Sequence, residues 1–310
     1  MTKIFIDGSV GTTGLQIYDR LRGRSDLTLL TIDEAVRKDP AARAARINEA
    51  DIVFLCLPDD AAREAVTLVE NDRTCVIDTS TAHRTDDAWA YGFPELGFAE
   101  AIAGAKRIAN PGCHATGFIS IVYPLISTKL LSKESMLSCF SLTGYSGGGK
   151  KMIAQYEAEV KPAALYAPGI YATAQQHKHL PEMTKVCGLG TAPVFCPIVD
   201  DYYKGMAVTV PLQARLLGGA RKEDVRAALA DFYKGQALVS VATRQESEAT
   251  PTIYANAKSG TDSLSLIVAG SDDAFTVTAL FDNLGKGASG AAIENMNLVL
   301  GLDPTTGLIV

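Results

Sequence analysis

The sequence predicts an α/β protein in two parts: a parallel sheet covered by helices, then an α+β part whose sheet is mixed or antiparallel, with a helix at the end. Three observations predict this. Short apolar runs alternate with helical periods over residues 3–78; from Ser135 onward the strands lengthen and the helices thin out; helical spacing returns after Leu284. With 310 residues the chain has room for two domains, each with its own core.

The first part opens with "KIFID" (3–7), a short apolar run, followed by helical character over 13–22. "LTLLTI" (27–32) is strand-like, the Ala/Arg-rich segment Pro40–Ala50 is helical, and "DIVFLCL" (51–57) has the continuous apolar character of a strand buried on both faces. "DDAAREAVTLVEN" (59–71) and "CVID" (75–78) repeat helix and strand. In the second part "MLSCFSLT", "MAVTVPLQARLL", "LSLIVAGS" and "AFTVTALFD" are the strands. The closing "GKGASGAAIENMNLVLG" repeats Ile293, Met296 and Leu300 at helical spacing.

A net charge of −6 and a pI near 5.3 disfavour nucleic acid and anionic membranes as partners, because neither attracts an acidic protein over long range. The longest apolar stretch, 117–126, is too short to cross a bilayer, and "MTKIFIDGS" lacks the layout of a signal peptide, so a soluble cytoplasmic protein is expected. The six cysteines contain no CxxC, which argues for reduced thiols and against a zinc knuckle.

"IDGSVGTTG" places Gly8, Gly11 and Gly14 between a strand and a helix. Such glycines let backbone amides, here around Thr12 and Thr13, approach a pyrophosphate at the helix N-terminus. The plain alternative is a tight turn. Asp33, after the second strand, suits a ribose diol, whereas Arg37 and Lys38 just beyond suit a 2′-phosphate, so the residues alone leave the cofactor's phosphate open. "GYSGGGKK" (144–151) nearly spells a phosphate loop for ATP, but Lys151 stands where a magnesium-binding hydroxyl is required. What survives is a glycine-rich loop offering amides to an anion or substrate.

Cys113 stands at the head of a helix marked by Phe118, Ile121, Val122, Leu125 and Ile126. First-turn amides favour a thiolate there, yet a helix end contributes only about 0.3–1 kcal/mol against a thiol pKa of about 8.5. A base is needed, and the four histidines are His83, His114, His177 and His179. His114 is expected to diverge from the thiol around the helical turn. In "QQHKHLPEM" an extended backbone would set His177 and His179 on one face, with Glu182 in reach of one ring. The plain alternatives are a capping cysteine and surface histidines. No third ligand cluster supports a metal.

"NPGCHATG", "HKHLPEM", "YGFPEL", "DTSTAHR" and "FDNLGKGASGAAIENMNLVLG", in this order along nearly the whole chain, resemble the N-acetyl-gamma-glutamyl-phosphate reductase family in its shorter branch. The resemblance implies a Rossmann-type domain with an inserted α+β catalytic domain, as in glyceraldehyde-3-phosphate dehydrogenase, divided as 1–113 plus 286–310 and 114–285. It implies Cys113 as nucleophile and His177 as general acid/base, with His179 and Glu182 in the substrate corner. Arg84 would clamp the substrate phosphate, and Ser146 and Gly147 of the glycine loop would meet developing oxyanion charge. NADP is the implied cofactor, with Asn283 and Lys286 near the nicotinamide and Arg37 at the nucleotide end. A small acyl phosphate is the implied substrate and a homodimer or homotetramer the implied assembly.

The chain departs from the family's longer branch at His114-Ala115-Thr116, where an aromatic and Pro-Thr are usual, and at Asp59-Asp60, after Leu57-Pro58. Two other functions stay open on the residues: a sister reductase such as aspartate-semialdehyde dehydrogenase, and a non-catalytic NADP-binding redox sensor with Cys113 as its thiol.

Overall fold

The computed structural model describes residues 1–310, which form two compact units. The first comprises Met1–Gly112 and Ala288–Leu308, the second Cys113–Gly287 and Ile309–Val310. Against the expected division, Cys113 moves into the second unit, and so do the last two residues.

The first unit runs β1 (Thr2–Asp7), α1 (Thr12–Leu21), β2 (Leu27–Leu30), α2 (Pro40–Glu49), β3 (Ile52–Leu55), α3 (Asp59–Thr67), β4 (Cys75–Asp78), β5 (Ala90–Tyr91), α4 (Ala99–Ala103) and β6 (Arg107–Ala109). All its strands are parallel, in the order β2-β1-β3-β4-β6-β5. The order reverses at β1, which opens a crevice beyond the carboxyl ends of β1 and β3. Alternation sends Ile4, Ile6, Ile52 and Phe54 to one face, under Ile293 and Met296 of the last helix (Gly290–Val299), and Phe5, Val53 and Leu55 to the other, under Ile47 and Ala62. Burial on both faces is why the central strands read as continuous apolar runs. The strands β5 and β6 escape the sequence reading because two and three residues carry no periodicity.

The second unit contains α5 (Cys113–Ser127), β7 (Ser138–Gly144), α6 (Gly149–Tyr156), β8 (Gly169–Ile170), α7 (Leu180–Cys187), β9 (Val194–Asp200), β10 (Met206–Gln213), α8 (Lys222–Phe232), β11 (Val239–Val241), α9 (Arg244–Glu248), β12 (Leu264–Gly270) and β13 (Ala274–Phe281). Its sheet is mixed, ordered β11-β12-β13-β10-β7-β9-β8, with β7 and β9 parallel and β10 and β13 antiparallel. Helix α5 is buried on every side from His114 to Val122, the signature of a core helix rather than a surface one. It approaches β10 so closely that a Cβ on Gly117 would stand 2.4 Å from Val208. Pro124 cannot donate to the carbonyl of Ser120, and the Tyr233 hydroxyl donates to that carbonyl instead at 2.8 Å. No helix is long and apolar enough to cross a membrane.

Candidate active site

In the first unit the groove is made by backbone. Gly8 has φ +90°, and a Cβ there would stand 2.3 Å from the Cys56 carbonyl oxygen; one on Gly14 would stand 2.3 Å from the Gly8 oxygen. Gly11 precedes α1 and no side chain caps that helix, so amides of its first turn, which Thr12 and Thr13 begin, face outward as an anion site requires. A cavity of about 380 Å³ adjoins this turn, lined by Gly8, Arg37, Lys38, Arg43 and Glu64 among others. Arg37 pairs with Glu34 at 3.2 Å. Asp33 instead caps the following turn, accepting from the Ala35 amide at 2.9 Å. The lining carries three cations, Arg37, Lys38 and Arg43, balanced by Asp7, Glu34 and Glu64. Within it Arg43 bridges Asp7 at 2.9 Å; burial pushes the Asp7 carboxyl up and Arg43 draws it back. The glycine cradle fits a dinucleotide.

Arg84, expected at the substrate phosphate, is buried, and its guanidinium donates to the carbonyls of Asn110 and Thr79, both at 2.8 Å. It tethers the ends of β4 and β6. His83 is likewise committed: its Nδ1 lies 2.7 Å from Asp78 Oδ2 and its ring stacks on Trp89 at 4.1 Å.

In the second unit the remaining three histidines converge. Cys113 begins α5 and is partly exposed, with Gly287 against it: a Cβ on that glycine would lie 3.0 Å from the cysteine's own. The segment 171–179 is not the extended strand expected from H-x-H alternation. His179 adopts helical backbone as the cap of α7, so the two imidazoles meet edge to face, 4.8 Å apart at 84°. Glu182 is buried in the first turn of that helix. Two left-handed residues, Ala172 (φ 51°) and Gln175 (φ 57°), shape the approach, a conformation costing roughly 1–2 kcal/mol for a residue with a Cβ. The Gln175 amide holds the bend by bonding both backbone groups of Phe195, at 2.7 and 2.8 Å.

The proton positions on His177 follow from one bond. The His179 backbone N–H, which only donates, points at His177 Nδ1 at 3.2 Å, so a neutral His177 carries its hydrogen on Nε2. It is neutral over a wide range, because burial, with Lys178 adding, pushes its pKa down to about 4.

His114, expected to diverge from the thiol, joins the two imidazoles of this corner. Its ring lies 5.4 Å from His177 and 5.5 Å from His179, and burial, then the neighbouring His177 and Lys178 charges, press its pKa down to about 3. Tyr171, Ser141 and Phe195 complete the surroundings and lay outside the sequence reading, since they come from separate strands and a loop. Tyr171 is pushed above the usual phenol range by burial and then by the charge of Cys113. The one local signal was a second histidine directly after the cysteine.

The glycine loop is a tight turn over Tyr145–Gly148. Ser146 is buried and accepts from Asn283 Nδ2 at 3.0 Å, while Asn283 Oδ1 accepts from the Gly205 amide at 2.8 Å. Asn283, expected at the cofactor, therefore braces the loop, and a Cβ on Gly147 would stand 3.6 Å from its amide nitrogen. Lys286 is buried within a single wide turn, Gly285–Ser289.

Residues 6–105 match the family model for the semialdehyde dehydrogenase NAD binding domain, and residues 113–283 that for the semialdehyde dehydrogenase dimerisation domain. The second match begins at Cys113, where the second unit begins. The chain is 46% identical over 305 residues to N-acetyl-gamma-glutamyl-phosphate reductase 2 of Pseudomonas putida, covering 96% of each. It is 48% identical over 305 residues to N-acetyl-gamma-glutamyl-phosphate reductase of Sinorhizobium medicae, covering 96% of this chain and 98% of that one. Among solved structures, aspartate semialdehyde dehydrogenase from Francisella tularensis superposes with a TM-score of 0.72 at 14% identity, over 97% of this chain and all of the other, a likeness of fold. With both family domains present in order and near-full-length relatives at this identity, the chain belongs to the semialdehyde dehydrogenase family, among the N-acetyl-gamma-glutamyl-phosphate reductases.

Proposed function

We propose that this protein reduces N-acetyl-L-glutamyl 5-phosphate to N-acetyl-L-glutamate 5-semialdehyde and phosphate through a thioester on Cys113, with NADPH, as a cytoplasmic homodimer or homotetramer in arginine biosynthesis. The observation that carries the reading is the thiol at the head of a buried helix, in one compact unit with a neutral imidazole of fixed tautomer. The relatives' names supply the substrate.

Cys113 attacks the acyl carbon as thiolate: the C–S bond forms, the C–O bond to phosphate breaks, and phosphate leaves with the electron pair. Gly8, Gly11, Gly14 and Arg37 would hold the nicotinamide cofactor, which would supply hydride for the thioester carbonyl. The tetrahedral oxyanion on Cys113 then re-forms its C=O bond and expels the thiolate. His177 meets the oxyanion with its Nε2 hydrogen and acts as general acid/base, and amides at the start of α5 and in the 145–148 turn add dipoles. His179 fixes the tautomer and Glu182 lies beneath. Arg84 is the proposed contact for the substrate phosphate.

The test is phosphate-dependent oxidation of N-acetyl-glutamate semialdehyde with NADP and with NAD, beside aspartate semialdehyde. Preference for the acetylated aldehyde and NADP supports the proposal; turnover of aspartate semialdehyde alone reassigns the substrate. Full turnover by Cys113→Ser would remove the thioester.

A further inference from the structure

No step above uses His114, although it follows the nucleophile directly. It is 3% exposed and bonded at both ends, with Nδ1 2.6 Å from Ser141 Oγ and Nε2 2.7 Å from the Tyr171 hydroxyl. A neutral imidazole has one N–H and one lone pair, so the two contacts have opposite polarity, and either tautomer pins the phenol. Ser141 sits on β7, in the middle of the sheet, and is fully buried, which gives the chain a rigid anchor. Tyr171 needs such an anchor: it follows the two-residue edge strand β8 and precedes the left-handed Ala172.

Four rings enclose His177, those of His114, His179, Phe195 and Tyr171, with centroids 4.8–5.9 Å away. Two of these walls, His114 and Tyr171, are tied together by the Nε2–hydroxyl bond. His114 faces His177 edge to face at 86°, as His179 does at 84°. We propose that His114 is a positioning residue for the thioester chemistry: the chain Ser141–His114–Tyr171 clamps the phenol beside His177 and holds the aromatic wall that aims that imidazole. The proposal rests on the reading of Cys113 and His177 as the reacting pair.

Two substitutions separate the ends of the ring. An asparagine amide reaches the place of Nδ1 and keeps Ser141 while releasing Tyr171; a glutamine amide reaches the place of Nε2 and keeps Tyr171. In the phosphate-dependent oxidation of N-acetyl-glutamate semialdehyde with NADP, His114→Asn lowers kcat by about tenfold or more with KM within about threefold, a misaligned reacting group rather than lost binding. Tyr171→Phe does the same, the double variant is no worse than either single one, and His114→Gln stays within about threefold of the unsubstituted protein. Tyr171→Phe keeps its ring and the fold, so it decides the matter should a His114 variant fail to fold. A native kcat for Tyr171→Phe, or equal losses in the Asn and Gln variants, overturns the clamp. Failure of the underlying reading looks different: Cys113→Ser would then retain turnover.

Discussion

The groove of the first unit and the thiol corner of the second both lie at the head of a helix, yet they are built in opposite ways. The groove comes from one continuous stretch, Gly8–Gly14, with Arg37 and Lys38 shortly after, and what it offers is backbone: amides brought close because no Cβ stands in the way. The corner gathers residues 113–114, 141, 171–179 and 195, and what it offers is side chains, with protonation states set by burial. A backbone site depends on local geometry and tolerates exchange of its neighbours. A side-chain site depends on the core that brings its parts together.

The largest effect expected falls on the corner alone. Cys113→Ser should lower kcat at least about 10³-fold while NADP binding, followed by fluorescence titration, is unchanged. Equal losses of binding and turnover would mean that the two sites are not separable in this way. His177→Ala should cost about 10²–10⁴-fold in kcat, and a loss under threefold would move the proton-transfer role elsewhere. Because Gln carries an N–H donor but is no base, His177→Gln retaining most of the rate would assign His177 to oxyanion donation.

The converse substitution tests the groove. Gly8→Ala meets both a φ of +90° and a Cβ 2.3 Å from a carbonyl oxygen, and should lose roughly 1–3 kcal/mol of stability along with cofactor binding. The alkylation rate of Cys113 by iodoacetamide should stay unchanged. Arg37→Ala should weaken NADPH by roughly 10–100-fold, the worth of a charge-assisted hydrogen bond, and NADH little.

The smallest effect is a pH dependence confined to the corner. His114 and His177 have folded pKa values of about 3 and about 4 against 6.5 unfolded, so on acidification the unfolded chain takes up protons first. Stability is therefore complete above about pH 6.5 and falls below it, by up to about 1.4 kcal/mol per pH unit for the buried His114 and less for the partly exposed His177. Denaturant midpoints between pH 7 and pH 4 measure this, and His114→Asn should flatten the slope. The acid limb of kcat/KM should fall near pH 4 rather than 6.5; a limb at 6.5 would contradict a desolvated His177.

The elements most legible in the sequence are those whose signal is local. The first four parallel strands of the first unit, the turn at Gly8–Gly14 and the head of α5 all stood out, because periodicity and glycine spacing operate over a few residues. The expected extended "HKH" gave way to the cap of α7, since Pro181 in the first turn and the bend pinned by Gln175 onto Phe195 override alternation. The place of His114 in the cluster lay outside the sequence reading, because β7 and the loop at Tyr171 present partners to both of its nitrogens. Asn283 was expected at the cofactor and braces Ser146 and Gly205. Arg84 was expected to be open to phosphate and holds carbonyls.

By itself the sequence determined the alternation of strands and helices, the glycine cradle, the nucleophile's place at a helix head and the family. The tertiary structure decided that Cys113 belongs with the second unit, which tautomer His177 holds, and that three of the four histidines share one corner while His83 is bound elsewhere. The reason is physical: a backbone conformation is written in neighbouring residues, whereas the charge state and aim of a buried imidazole depend on groups that only the folded core brings within hydrogen-bond distance.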